Sequence, residues 1–112
     1  MKAHIYTFGL STQVRPPEAV DVTVDCRIID NPFGRVAPDA TEAALAASPA
    51  LPKVLGGALT GTLEVLRHRE AVSVGVFCNY GRHRSPYVAT KLAALLAAMG
   101  VQTTIADCNR GA

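Results

Sequence analysis

The sequence has no tryptophan, only three phenylalanines and three tyrosines, and no apolar run long enough to cross a membrane. A bilayer-spanning helix needs about 18 or more consecutive apolar residues, so we expect no membrane partner. The three cysteines are odd in number and lack the short paired spacing of zinc sites. Such cysteine usage suits a reducing compartment better than a disulfide framework. We therefore predict a cytoplasmic protein with no metal and no cofactor.

Length and charge narrow the class of protein further. A chain of 112 residues has room for one core, so residues 1–112 are expected to form a single domain. The formal net charge of +2 is too small to indicate nucleic-acid binding by itself. The positive residues are nevertheless clustered, in Arg67-His68-Arg69 and in Arg82-His83-Arg84.

The hydrophobic pattern predicts alternating strands and helices. Residues 72–77 are nearly all apolar and β-branched, as in a strand that is covered on both faces. The glycines inside the helix predicted over residues 53–69 suggest that this helix packs closely on the sheet. The tail from residue 107 is expected to fray. The order of strands and helices along the chain predicts a small three-layer α/β/α domain with a mostly parallel four-stranded sheet. The predicted strands are residues 3–8, 20–29, 72–77 and 101–106, the second of them ending near Asp25 to Arg27 or a little beyond. The predicted helices are residues 41–47, 53–69 and 85–99.

The segment Cys78-Asn-Tyr-Gly-Arg-His-Arg-Ser-Pro86 connects that buried strand to a helix predicted to begin at Ser85 or Pro86. Ligands of open α/β sheets bind beyond the carboxyl ends of the strands, and unpaired amides at a helix N-terminus attract anions. Five residues separate Cys78 from Arg84, and Ser85 follows, as in the Cys-x5-Arg-Ser/Thr pattern of cysteine-dependent phosphatases. The segment is therefore predicted to be an anion-binding loop.

This loop has two other interpretations. Cys78 can be an unreactive residue at the end of a buried strand, because free cysteine is commonly buried. The three basic residues 82–84 can be a solvated turn. If the loop is instead catalytic, Cys78 is the nucleophile and Arg84 holds the phosphate, with a general acid drawn from Asp30, Asp39 or Asp25.

Three motifs resemble the C-terminal domain of the RapZ family of bacterial RNA-binding regulators. The loop is similar to the family's Cys-Thr-Gly-Gly-x-His-Arg-Ser-x-Tyr. Asp25-Cys-Arg-Ile-Ile-Asp-Asn-Pro32 resembles its Asp-x-Arg-Phe-x-x-Asn-Pro, and Thr7-Phe-Gly9 resembles its Ser-Phe-Gly. The motifs occur in the family's order and span nearly the whole chain. The chain departs from the family at Asn79-Tyr80, where the family has Thr-Gly.

The resemblance implies the same α/β fold, binding of a phosphorylated small molecule (glucosamine 6-phosphate in the family), RNA binding and homo-oligomers. The family's P-loop ATPase domain has no counterpart motif here, so we expect a stand-alone regulatory module rather than an enzyme. A cysteine-dependent phosphatase and an RNA-binding protein are the competing hypotheses. The residues that would bind the ligand are Asp25, Arg27, Asn31, Cys78, Asn79, Tyr80, Gly81, Arg82, His83, Arg84 and Ser85.

Overall fold

The computed structural model describes residues 1–29 and 38–109, with the backbone alone described for residues 38–41. Across these ranges the chain forms four strands and three helices. The strands are β1 (Lys2–Gly9), β2 (Val22–Asp25), β3 (Ala71–Cys78) and β4 (Gln102–Asp107). The helices are α1 (Pro38–Ala46), α2 (Leu51–Leu66) and α3 (Arg84–Ala98).

The strands form one sheet in the order β2-β3-β1-β4, and every pair is parallel. The predicted α/β class and four-stranded parallel sheet are thus confirmed. Strand β3 is paired on both sides, and residues 72–76 are all buried. This burial explains why that stretch of sequence is almost uninterruptedly apolar rather than alternating.

The main core lies on the sheet face that carries Ile5, Val74 and Val22, which are paired side by side. Helices α2 and α3 pack on this face and on each other, and the buried cluster includes Val88 and Leu92 of α3. The opposite face carries an aromatic pair, and residues 10–21 cross it on the way from β1 to β2.

That crossing segment is held by specific contacts. The hydroxyl of Ser73 is hydrogen-bonded to the carboxylate of Glu18. Val20 lies within 3.2 Å of the position that a Cβ on Gly75 would occupy. Because residues 10–21 leave β1 on one face and α3 leaves β3 on the other, a crevice opens between neighbouring strands at their carboxyl ends. This is the edge of the sheet on which the predicted loop lies.

Several predicted boundaries differ from the structure. Strand β2 starts at Val22 rather than at residue 20, and it ends at Asp25, within the range predicted for its end, because the Asp25 carboxylate accepts the Arg27 amide and the Ile29 amide bonds to the Cys26 carbonyl. Those local bonds turn the chain out of the sheet. Helix α1 begins at Pro38, three residues before its predicted start, where proline's fixed φ suits a first helical position.

The prediction that the α2 glycines pack against the sheet is correct for Gly61 alone, which a Cβ would bring to 3.3 Å from Val22. Gly56 and Gly57 face open space. Met99 follows the last helical turn of α3 and is 53% exposed. Gly100 adopts a φ of +86°, as expected just past a helix C-terminus.

Candidate functional site: an anion loop at the carboxyl edge of the sheet

The loop after β3 is folded tightly against the end of β1. The amides of Leu10 and Ser11 donate hydrogen bonds to the carbonyls of Cys78 and Asn79, over 2.9 and 2.8 Å. Gly81 has a φ of +70°, and a Cβ there would come within 2.8 Å of the backbone of β1. Glycine is needed at this position because both the backbone conformation and the close approach exclude a side chain.

Cys78 is the centre of a set of hydrogen bonds. The Gly81 amide donates to Cys78 Sγ over 3.2 Å, and Ser85 Oγ lies 3.4 Å from the same sulfur. Burial of the thiol opposes its ionisation. The hydrogen bonds from Ser85 and Gly81, together with the charge of Arg84, outweigh burial and lower the pKa of Cys78 below its ordinary value.

Arg84 begins α3 but is only 6% exposed. Its Nη1 donates hydrogen bonds of 3.2 Å to the carbonyl oxygens of Arg27 and of Ile29. The guanidinium therefore joins α3 to the turn that follows β2. Arg84 was predicted as the residue that holds the phosphate, and the structure gives one of its two terminal nitrogens a structural role instead.

Asp25 and Arg27 were predicted to line the pocket, and they form an ion pair with each other. Arg27 donates to both carboxylate oxygens of Asp25, with its Nη2 2.7 Å from Oδ2. The Arg27 guanidinium also lies 5.6 Å from the ring centre of Phe77. Since Phe77 and Cys78 are successive residues of a strand, their side chains point to opposite faces. The Asp25–Arg27 pair is therefore on the other side of the sheet from the thiol.

The predicted Asn31 and the acid candidate Asp30 lie outside the described residues. Asp39 belongs to α1, and its side chain is likewise outside what is described. The hydrogen bonds from Arg27 lower the pKa of Asp25, although partial burial opposes them. A carboxylate ionised at neutral pH has no proton to give, so this pairing argues against Asp25 as a general acid.

Arg82 and His83 are the exposed basic residues of the loop. His83 precedes α3 and makes no side-chain hydrogen bond that caps the helix, and the first turn carries no acidic residue. Arg82 makes no ion pair or side-chain hydrogen bond within residues 1–29 and 42–109. The positive end of the helix dipole and two basic side chains thus face solvent together.

Two clefts adjoin this first turn. A sheet-edge cleft of about 730 Å³ lies between the ends of β1 and β4 and the loop, and a helix cleft of about 300 Å³ lies between α1 and α3. Arg82 lines both. Of the other predicted ligand-binding residues, Tyr80 and Gly81 line the sheet-edge cleft and His83 lines the helix cleft. Asp25, Arg27, Cys78, Asn79, Arg84 and Ser85 line neither of the two clefts.

The sheet-edge cleft includes residues that the sequence did not single out. Thr7 contributes a side chain that is 1% exposed, and its Oγ1 has no hydrogen-bond partner in the described part of the chain. Asn109 Nδ2 donates to the Tyr80 carbonyl, and Thr12 Oγ1 lies 3.4 Å from Asn109 Oδ1. The segment 107–109 was predicted to fray and is instead docked against the loop. No local pattern distinguishes these polar residues from surface residues, because their role depends on the sheet order.

The second basic cluster is neutralised by ion pairs. Arg67 and His68 lie 3.2 and 3.6 Å from the carboxylate of Glu64, and Arg69 lies 2.7 Å from Asp21. Partial neutralisation of this kind leaves little net positive potential for a polyanion at that end of α2. The cluster at the start of α3 is therefore the stronger candidate for anion binding.

Across residues 1–29 and 38–109, no group of three or more His, Cys, Asp or Glu side chains is placed to hold a metal ion. No helix of this part of the chain is long and apolar enough to cross a membrane.

The fold and the loop define a class: a parallel α/β domain with a cysteine-centred loop at the start of a helix, at the carboxyl edge of its sheet. Comparison with protein-family models and with curated proteins finds no match.

Proposed function

We propose that this protein is a regulatory module that binds the phosphate group of a small metabolite at the start of α3. The observation that carries the proposal is the exposed pair Arg82 and His83 at a helix N-terminus with no acidic residue in its first turn; Arg82 lines both clefts and His83 lines the helix cleft. The helix dipole favours an anion there. Arginine adds a planar set of donors that suits phosphate oxygens.

The resemblance to the RapZ C-terminal domain supports the same choice of ligand. In that family the ligand is an amino-sugar phosphate, and here Asn79-Tyr80 replaces the family's Thr-Gly, so we propose an amino-sugar phosphate or a nucleotide phosphate. The same resemblance leads us to propose a homo-oligomer. The free thiols of Cys26, Cys78 and Cys108 fit a cytoplasmic location.

Titration of the protein with inorganic phosphate, followed by calorimetry or by amide chemical shifts, tests the proposal. Loss of a charged hydrogen bond costs about 1.5–3 kcal/mol, so Arg82→Ala should weaken phosphate binding by about tenfold or more. Arg67→Ala is the matched control, because it removes the same charge from an exposed arginine beside Glu64. Equal affinity in all three proteins, or no phosphate binding by the wild type, would contradict the proposal.

A cysteine-dependent phosphatase is the second candidate, and the lowered pKa of Cys78 favours it. In that reaction the thiolate attacks phosphorus, the ester P–O bond breaks, and a general acid protonates the leaving oxygen. Two observations argue against a phosphatase: the Cys78 side chain is nearly fully buried, and Asp25 forms an ion pair with Arg27. Turnover of a generic aryl phosphate that is abolished by Cys78→Ser would establish this activity. Phosphate binding without turnover would support the module.

RNA binding is supported by the resemblance and by the exposed basic side chains of Arg82, His83 and Lys91, which line the helix cleft. A footprint on the phosphate backbone should weaken steeply as salt rises, since binding releases counterions. Binding of a short single-stranded RNA should therefore fall with salt and with Arg82→Ala. A flat salt profile would exclude this function.

A further inference from the structure

The sheet-edge cleft brings together a cation, an exposed aromatic ring and a buried hydroxyl that has no hydrogen-bond partner within residues 1–29 and 42–109. Arg82 lies at one end of it, and Tyr80, two residues before, is 61% exposed. Thr7 lines the same cleft from β1, and its Oγ1 is buried. We propose that this cleft holds an aromatic base, so that the ligand is a nucleoside monophosphate with its base on Tyr80 and its phosphate at Arg82. The inference rests on the proposed phosphate site and names the class of its ligand.

Tyr80 is held in place through its backbone. Its carbonyl accepts a hydrogen bond from Asn109 Nδ2, and a Cβ on Gly9 would lie 2.4 Å from its carbonyl carbon. An aromatic side chain on a fixed backbone loses little conformational entropy when a flat ligand stacks on it. Exposed tyrosine rings on a rigid loop beside a cation are a feature of sites that stack nucleobases.

The rest of the cleft fits a heteroaromatic ring. Ile105 and Val14 provide apolar surface, whereas Thr7 provides a hydroxyl that is buried and unsatisfied among the described residues. Buried polar atoms in native proteins almost always have a partner, and a base supplies donors and acceptors around its edge. Tyr80 and Arg82 are two residues apart, so their Cα atoms are separated by at most about 7 Å. This spacing suits a base and a phosphate joined by one ribose.

The test compares adenosine 5′-monophosphate with ribose 5-phosphate, which lacks only the base, by calorimetry on the full chain. Stacking on one aromatic side chain should make the nucleotide bind about tenfold more tightly than ribose 5-phosphate. Tyr80→Ala should abolish this advantage and leave the affinity for ribose 5-phosphate unchanged, and Tyr80→Phe should retain it. Leu95→Ala, which removes an exposed apolar side chain from α3, is the control for altered surface hydrophobicity.

Thr7→Val should weaken binding of the nucleotide without unfolding the protein, because valine keeps the shape of threonine and removes the hydroxyl. Equal affinity for the nucleotide and for ribose 5-phosphate would overturn the inference and leave the phosphate module standing. No binding of ribose 5-phosphate or of inorganic phosphate would overturn both. Comparison with a 5′-phosphorylated oligonucleotide tells whether the bound base and phosphate belong to a free nucleotide or to the end of an RNA. Tight binding of the oligonucleotide, with no advantage of the nucleotide over ribose 5-phosphate, would also overturn the inference.

Discussion

Asn109 Nδ2 donates a hydrogen bond of 3.1 Å to the carbonyl oxygen of Tyr80, which fastens the segment after β4 to the loop after β3. Asn109 is in turn 3.4 Å from Thr12, so three segments that are distant in sequence meet above the sheet edge. The shape of the sheet-edge cleft depends on this junction, because two of its walls are connected by a single side chain.

Replacing Asn109 with alanine should loosen the loop. We expect a loss of about 1 kcal/mol in the free energy of unfolding, the usual net value of one hydrogen bond. Hydrogen exchange at the amides of Leu10 and Ser11, which bond to the loop carbonyls, should become faster. Gln102→Ala, an exposed substitution at the start of β4, is the control. Unchanged exchange in Asn109→Ala would show that the loop is held without this contact.

The two arginines of the loop should respond differently to substitution. Arg84→Met removes the donor shared by the carbonyls of Arg27 and Ile29, and it should destabilise the fold by about 2–3 kcal/mol because charged hydrogen bonds are lost. Arg82→Ala should change stability by less than about 0.5 kcal/mol, as is usual for an exposed side chain. Urea unfolding measures both. Equal losses from the two substitutions would contradict these separate roles.

Ser85→Ala should raise the pKa of Cys78, because Ser85 makes the largest contribution to lowering it. The measurement is an ultraviolet thiolate titration in a protein whose other two cysteines are replaced by alanine. A lowered folded-state pKa adds stability that is fully present above the unfolded pKa of about 8.5 and is lost as pH falls through the folded value. Ser85→Ala should therefore reduce this pH-dependent part of the stability. An unchanged thiol pKa would contradict the contact.

Cys26 should contribute to the pH dependence of stability in the opposite direction to Cys78. Burial, with smaller contributions from Cys78 and Asp25, raises the pKa of Cys26 to about 12. A raised pKa gives stability that is complete below the unfolded value of about 8.5 and is lost as pH rises towards the folded value. Urea unfolding of Cys26→Ala and of wild type at rising alkaline pH should show the smaller pH dependence in the variant. An equal dependence in both proteins would mean that Cys26 does not ionise on unfolding.

Glycine substitutions should separate a required glycine from an optional one. Gly81→Ala combines a φ of +70° with a Cβ only 2.6 Å from Asn109 Nδ2, so we expect a loss of more than about 1–2 kcal/mol from the backbone strain alone. Gly56→Ala lies in an exposed position of α2 with open space around it, and it should stabilise the fold by about 0.5–1 kcal/mol. Thermal unfolding checks both. Destabilisation by Gly56→Ala would show that α2 has a neighbour on that side.

Several features of this protein can be predicted from local sequence. The apolar run 72–77 and the change from a strand pattern to a helix pattern around Cys78 predict the α/β class and the position of the loop. These predictions succeed because the periodicity of apolar residues that distinguishes a strand from a helix can be seen within a few neighbouring residues. The end of the second strand was predicted only as a range from Asp25 to a little beyond Arg27, and the structure ends it at Asp25, where the Asp25 side chain competes locally with the sheet for backbone amides.

The roles of individual side chains at the loop were decided by tertiary structure. Arg82 and Arg84 have the same chemistry in the sequence, but the strand order places the turn after β2 beside Arg84 and leaves Arg82 at the mouth of two clefts. The burial of the Thr7 hydroxyl, which has no partner in the described part of the chain, and the hydrogen bond from Asn109 also depend on β1 lying between β3 and β4. Such contacts join residues far apart in the chain, so no local pattern specifies them; they follow from which strands are neighbours and which groups that arrangement buries.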